Sequence, residues 1–150
     1  MAERRKKKLK KENRKRLLGD IGEKKVALEL IKLGFTVHIN LSDGYDILAI
    51  RNGKILKIEV KMRYPWEYKN DVLVAKRRCN FNLTKNEMER CDFVIGLVYG
   101  NMDEFLIVNV KDINIIKKDG GGVIPAMLNE DMNFSKNSKW SKSINNWSIL

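Results

Sequence analysis

The sequence predicts an α/β domain in the order helix, three strands, helix, strand, and three observations carry that prediction. Apolar side chains recur at helical spacing within residues 20–33, Asn52-Gly53 joins two strand-like runs, and Phe93 to Tyr99 is an unbroken apolar run. At 150 residues the chain has the length of one domain with a real core. No apolar run approaches the ~20 residues of a membrane span and no secretory signal opens the chain, so a cytoplasmic protein without membrane association is expected. Cys79, Cys91 and the single His38 supply neither a disulfide framework nor a standard zinc site.

The net charge of +11 is uneven. Within residues 1–16 stand Arg4, Arg5, Lys6, Lys7, Lys8, Lys10, Lys11, Arg14, Lys15 and Arg16 against Glu3 and Glu12, a net +8 that leaves +3 for residues 17–150. The expected organisation is a basic arm over 1–16 and one domain over 17–150, with a core at about 20–110 and a C-terminal extension over 111–150. So dense a block of like charge is expected to be disordered when free and to bind a polyanion with salt-sensitive, sequence-independent affinity. The arm alone does not choose between DNA and RNA.

The first helix is expected over Asp20–Leu33. Asp20 serves as N-cap, Glu23 completes a capping box, Val26, Ala27, Leu30 and Ile31 form the apolar stripe, and Gly34 ends it. Glu23 sits at the edge of the inward face, so it either caps the helix or points at the strands, and the two roles are compatible. Phe35 to Leu41 alternates as a strand, with His38 on its polar face and without an assigned role.

The stretch from Ser42 to Arg63 is a hairpin, because Asn52-Gly53 fits a type I′ turn with positive φ at both positions. Arg51 then faces Lys54, and the same register sets Asp46 opposite Glu59. One face carries Ile47, Ala49, Leu56, Ile58 and Val60. The other is apolar near the turn (Leu48, Ile50, Ile55) and charged at its open end, with Asp46, Lys57, Glu59 and Lys61. Facing carboxylates destabilise a sheet, which makes sense if a divalent cation sits between them.

Residues 62–71 read as a loop broken by Pro65 and interleaving Arg63, Tyr64, Trp66, Tyr68 and Lys69. Such aromatics among cations either contact sugar, base and phosphate or fold back onto the core. Val72 to Lys76 is a short strand, followed by Arg77 and Arg78 as phosphate ligands at a cleft rim. Thr84 and Glu87 form a capping box for a helix through Cys91, itself a small core residue. Phe93 to Tyr99 is a strand buried on both faces, and Glu104 to Val110 is another. Residues 111–116 form one more short element, Gly120-Gly121-Gly122 is a flexible turn, and Trp140 and Trp147 imply that the tail docks.

Asp46 in Gly44-Tyr45-Asp46-Ile47, then Glu59-Val60-Lys61 thirteen residues on across an Asn-Gly hairpin, with Glu23 on an upstream helix, resembles the PD-(D/E)xK nuclease superfamily over roughly residues 20–110. Tyr45 stands where the family's name-giving proline would be. The resemblance implies a restriction-endonuclease-like core with a mixed central sheet flanked by helices, acting on DNA with Mg²⁺, Mn²⁺ possible in its place. By the same resemblance Asp46, Glu59 and the Val60 carbonyl are metal ligands. Lys61 orients or helps deprotonate the attacking water, and Glu23 holds a water at the ion or a second ion. Hard carboxylates suit Mg²⁺, and phosphodiester hydrolysis needs the charge relief it supplies. An exposed Glu59–Lys61 ion pair is the competing account, and it leaves Asp46 opposite Glu59 unexplained.

The leading expectation is therefore a metal-dependent DNA endonuclease, either like archaeal Holliday-junction resolvases, which would make it a symmetric homodimer, or like restriction, homing or repair endonucleases. The alternatives are a non-catalytic nucleic-acid-binding protein that keeps the fold, and a small basic nucleoprotein with an accidental match. Two facing carboxylates beside DNA count against the former.

Overall fold

The computed structural model describes residues 2–40, 43–116 and 118–150, and at positions 2, 4–7 and 9 the backbone alone. Expectations falling on Leu41, on Ser42 and on the side chains of Arg4, Arg5, Lys6 and Lys7 lie outside the described residues. Among those described, no helix is long and apolar enough to cross a membrane.

Helix α1 runs unbroken over Ala2–Lys32. The expected start at Asp20 is corrected: Asp20 is an interior helical residue, and it and Glu23 are not a capping box. The basic block is helical rather than irregular, because Lys, Arg, Leu and Glu are good helix formers and tertiary packing ties the segment down. Leu18 is buried, and the Arg14 guanidinium lies 4.5 Å from the centre of the Tyr64 ring. The helix ends as expected at Gly34, with Gly34 N–H bonded to Ile31 O and Phe35 N–H to Leu30 O, a Schellman pattern.

Strands β1 (Thr36–Ile39), β2 (Ile47–Arg51), β3 (Lys54–Arg63), β7 (Phe93–Val98) and β8 (Asn101–Asn109) form one sheet in the order β1-β2-β3-β7-β8. β3 and β7 are parallel and the other pairs antiparallel, so the sheet is mixed as expected. The hairpin register is as expected from Arg51↔Lys54 to Ile47↔Ile58, with φ of 51° at Asn52 and 76° at Gly53. It ends there: the expected pairing of Asp46 with Glu59 is corrected, because Asp46 leaves the ladder and its N–H bonds Ile58 O. Asp92 locks β7 onto β3: its N–H bonds Lys57 O at 2.7 Å and its carboxylate accepts the Lys57 N–H at 2.8 Å.

Three regions differ from the sequence expectation. β4 (Trp66–Lys69), where a loop was expected, pairs with the expected short strand β5 (Val72–Ala75) in a second hairpin; its turn, Asn70-Asp71, takes φ of 48° and 60°. Asn and Asp tolerate this left-handed geometry, and Pro65 falls between β3 and β4 rather than inside a strand. β6 (Arg78–Leu83) pairs antiparallel with β9 (Gly122–Met127), so Gly122 opens a strand instead of belonging to a flexible turn. Val110–Asp112 is one 3₁₀ turn.

Helix α2 (Lys85–Arg90) follows β6 with the predicted capping box of Thr84 and Glu87. α1 covers one face of the sheet; β6, β9, α2 and the C-terminal segment cover the other. The tail docks on both. Phe134 and Trp140 are buried in the second core; Trp147 meets Phe105 edge-on at 4.9 Å, and Leu150 is buried in the first.

The second core fixes the neighbour of Lys61. Lys61 is aligned with Gly96 on β7, and a Cβ added to Gly96 would come 3.0 Å from the Phe81 ring. We expect Gly96→Val to force Phe81 out of place and lower unfolding free energy by about 1–3 kcal/mol, read from urea denaturation.

Candidate active site

The site forms where β3 changes partners. Residues 54–58 of β3 pair with β2 and residues 58–63 with β7, so beyond Ile58 the edge of β3 that faced β2 has lost its strand. Asp46 sits at that departure. Its N–H bonds Ile58 O at 2.9 Å, one residue off the ladder register, and its Oδ2 accepts the Val60 N–H at 2.7 Å. The carboxylate thus stands in for the missing strand. A strand residue's N–H and C=O point to the same edge, so the Val60 carbonyl opens on the Asp46 side.

Glu59 and Lys61 project from the face opposite α1. Glu59 is 5% exposed, and its Oε1 lies 2.7 Å from Lys61 Nζ. The same Nζ lies 2.8 Å from Glu87 Oε1. Glu87 is held in turn by the cap: its Oε2 accepts the Thr84 N–H at 2.8 Å, and its own N–H donates to Thr84 Oγ1 at 3.2 Å. Lys61 is therefore clamped between a strand carboxylate and a helix carboxylate.

Burial pushes the Glu59 carboxyl up to about 8, the nearby Asp46 charge adding to the rise and Lys61 opposing it. Asp46 is raised too, chiefly by burial, against the Val60 N–H and Lys61. Glu23 reaches about 6, through burial and then the charges of Asp46 and Asp20. The α1 acid thus senses the charge of Asp46. Burial works to lower the Lys61 ammonium, but Glu59 and Glu87 outweigh it and the net shift is upward. Glu87 moves down, because the hydrogen bonds from Lys61 and Thr84 outweigh its desolvation. Cys91 is pushed up to about 12 by burial, then by Glu59 and Glu87, so it stays a neutral core thiol.

The donor set fits a hard divalent cation. Asp46, Glu59 and the Val60 carbonyl offer oxygen only, and carboxyls driven upward chiefly by burial are the groups a cation would relieve. Among the described residues no three His, Cys, Asp or Glu side chains form a ready-made cage. A pH signature follows. Between the ordinary glutamate value of 4.5 and about 8 the folded chain holds protons that the unfolded chain releases, so metal-free stability falls as pH rises. Glu87 acts in the opposite sense, but its change is complete below 4.5. We expect the melting temperature in EDTA to drop between pH 5 and pH 8, and Mg²⁺ to raise it by a few degrees at pH 8 and hardly at pH 5.

Of the other predicted residues, Arg63 lies beside the site, its Nε donating to Asn80 O at 2.9 Å. Tyr64 and Trp66 meet edge-on at 5.1 Å and border a basic groove lined also by Lys11, Arg14 and Lys15. Lys69 is exposed and lies 3.4 Å from Glu67; Lys8 and Glu12 are 4.0 Å apart. Arg78 opens β6 and Thr84 follows its end, so Arg77 and Arg78 stand about 20 Å from the α2 cap. Arg77 lies 3.4 Å from Glu130 there. Glu87 is the residue that sequence reasoning missed. Its capping role was visible; its reach to Lys61 was not.

The sequence profile described as PD-(D/E)XK endonuclease matches residues 13–120. Two solved structures share the fold. The bacterial homing endonuclease I-Ssp6803I superposes with a TM-score of 0.63 at 18% identity, over 89% of this chain and 88% of its own. The Holliday junction resolvase Hjc of Archaeoglobus fulgidus superposes with a TM-score of 0.52 at 20% identity, over 71% of this chain and 82% of its own. No curated protein sequence matches the chain.

Proposed function

The chain belongs to the PD-(D/E)XK endonuclease family, and on that premise we propose that it is a Mg²⁺-dependent endonuclease hydrolysing phosphodiester bonds within DNA, with Mn²⁺ able to replace Mg²⁺. The observation that carries this reading is the buried Glu59 beside Asp46, at the point where β3 loses its strand partner, with Lys61 at 2.7 Å. A divalent ion held by Asp46, Glu59 and the Val60 carbonyl would supply charge relief on the phosphate and a nucleophilic water at neutral pH.

The chain's own groups do the rest. The Val60 N–H fixes the Asp46 carboxylate. Glu59 and Glu87 hold the Lys61 ammonium from two sides, so its charge is aimed without reorganisation at a phosphate oxygen or an attacking water. Glu87 is thus a positioning residue for Lys61. Glu23 orients water from the α1 side, its carboxyl changing ionisation near neutral pH.

The test is incubation with linear duplex, single-stranded and four-way-junction DNA, with Mg²⁺, Mn²⁺ or EDTA. Internal cleavage of at least one substrate is expected with metal and none in EDTA. Binding without cleavage of any of the three would overturn the proposal in favour of a binding protein that keeps the fold.

The basic half of α1 supplies affinity. Removing residues 1–9 takes away Arg4, Arg5, Lys6, Lys7 and Lys8 against Glu3. We expect weaker binding and a slope of log affinity against log salt that is shallower by roughly 2–4, with turnover at saturating DNA preserved. Salt-titrated binding and single-turnover kinetics separate the two effects.

A further inference from the structure

Two cavities of about 440 Å³ lie side by side along the N-terminal half of α1 and share Lys11 and Arg14. In the first, Lys15 and Lys76 face Tyr64 and Trp66; in the second, Lys10 faces Tyr68. The aromatic side is a small stack. Trp66 meets Tyr64 edge-on at 5.1 Å and Tyr99 edge-on at 6.4 Å, while Tyr68, on the same β4–β5 hairpin, is 72% exposed. None of Glu23, Asp46, Glu59 and Glu87 lines either cavity. The groove therefore offers positive charge and aromatic surface together, with no carboxylate among its described lining residues.

Both walls lead from this groove to the acids. On α1 the lining residue Leu18 lies about 7 Å along the axis from Glu23. At the end of β3 the lining residues Met62 and Arg63, and Tyr64 just beyond the strand, directly follow Lys61. The groove thus ends within a few residues, along the chain, of Glu23 and Lys61. Uninterrupted duplex would offer the groove its phosphates but keep its base faces stacked, leaving the exposed Tyr68 ring without a base to stack on. An unpaired strand offers both phosphates and base faces, and such stacking is tolerant of sequence.

We propose that this groove holds an unpaired segment of the cut strand, so that the preferred substrate class is DNA with a single-strand–duplex boundary, such as a flap, rather than continuous duplex. The inference rests on the nuclease reading only in placing the scissile bond beside the groove.

The test uses the full chain carrying Asp46→Asn, so that binding is read without cleavage. Labelled oligothymidylate, blunt duplex and the same duplex with a thymidine flap are titrated at one salt concentration, following fluorescence anisotropy. Flap and single strand are expected to bind at least tenfold more tightly than blunt duplex. Tyr68→Ala should weaken flap binding about five- to tenfold and blunt-duplex binding less than twofold. Trp66→Ala should do the same; because the Trp66 ring also packs on Gly100, the exposed Tyr68 carries the decision if that variant unfolds. Equal affinity for flap and blunt duplex, or equal losses on both in Tyr68→Ala, would overturn the proposal. The two readings fail separately. A chain that prefers flaps but never cleaves leaves the groove standing without the nuclease, and one that cleaves blunt duplex with no flap preference leaves the nuclease standing without the groove.

Discussion

Asp46→Asn and Glu59→Gln should each lower the single-turnover cleavage rate about a thousandfold, the loss of ~4 kcal/mol of transition-state stabilisation, while DNA binding stays within a few-fold of wild type. The amide at position 46 can still accept the Val60 N–H, so Asp46→Asn keeps the bond that anchors the turn to β3. Glu59→Gln removes a carboxyl that burial and Asp46 oppose in its charged form. Its melting temperature in EDTA at pH 8 should therefore rise, by about 3–6 °C. Lost cleavage in a variant of equal or greater stability separates chemistry from folding. Cleavage that survives either substitution would remove these two residues from the site.

Lys61→Met should be the most destabilising conservative change in the site, lowering unfolding free energy by about 3 kcal/mol near pH 8 in metal-free buffer. The lysine is the cation that Glu59 and Glu87 share, at 2.7 and 2.8 Å, and its loss leaves the largely buried Glu87 carboxylate without its cation beside Glu59. The pH dependence identifies this cause. The Lys61 pKa is raised from 10.5, so its contribution is complete below that value. The Glu87 pKa is lowered from 4.5, so its share is present above 4.5 and vanishes as pH falls through the folded-state value. The difference between wild type and Lys61→Met should thus be large between pH 7 and 9 and shrink towards pH 4 as the carboxyls protonate. Denaturant unfolding across that range measures it, and a loss that does not vary with pH would point to packing instead. Cleavage should fall about a hundredfold or more even when Mg²⁺ restores stability.

The hairpin was legible because its determinants are local. Asn52-Gly53 specifies the turn, and the turn fixes the register from Arg51↔Lys54 to Ile47↔Ile58, which leaves Asp46 at the open end of the hairpin. What could not be read there was the departure at Ile58, where Asp46 leaves the ladder and reaches the Val60 N–H. That depends on β7 arriving on the other edge of β3, a parallel pairing between segments far apart in the chain. The β6–β9 pair was missed for the same reason, its strands being separated by α2, β7 and β8. The α1 start was misread differently: Asp20 and Glu23 carry a capping signature, yet good helix formers on both sides and packing at Leu18 and Arg14 carried the helix through.

The sequence by itself determined the pieces whose causes lie within a few residues: the type I′ turn, the Thr84–Glu87 cap, the doubly buried β7, and Glu59 and Lys61 on one face of β3. Tertiary structure alone decided how those pieces meet. It set Glu87 against Lys61, turning a helix cap into one jaw of a clamp, and it laid the basic half of α1 along Tyr64 and Trp66, turning a charged segment into the wall of a groove. Capping and turn propensities act over three or four bonds of sequence. Which helix crosses which strand is set by the burial of two separate cores, a property of the whole chain.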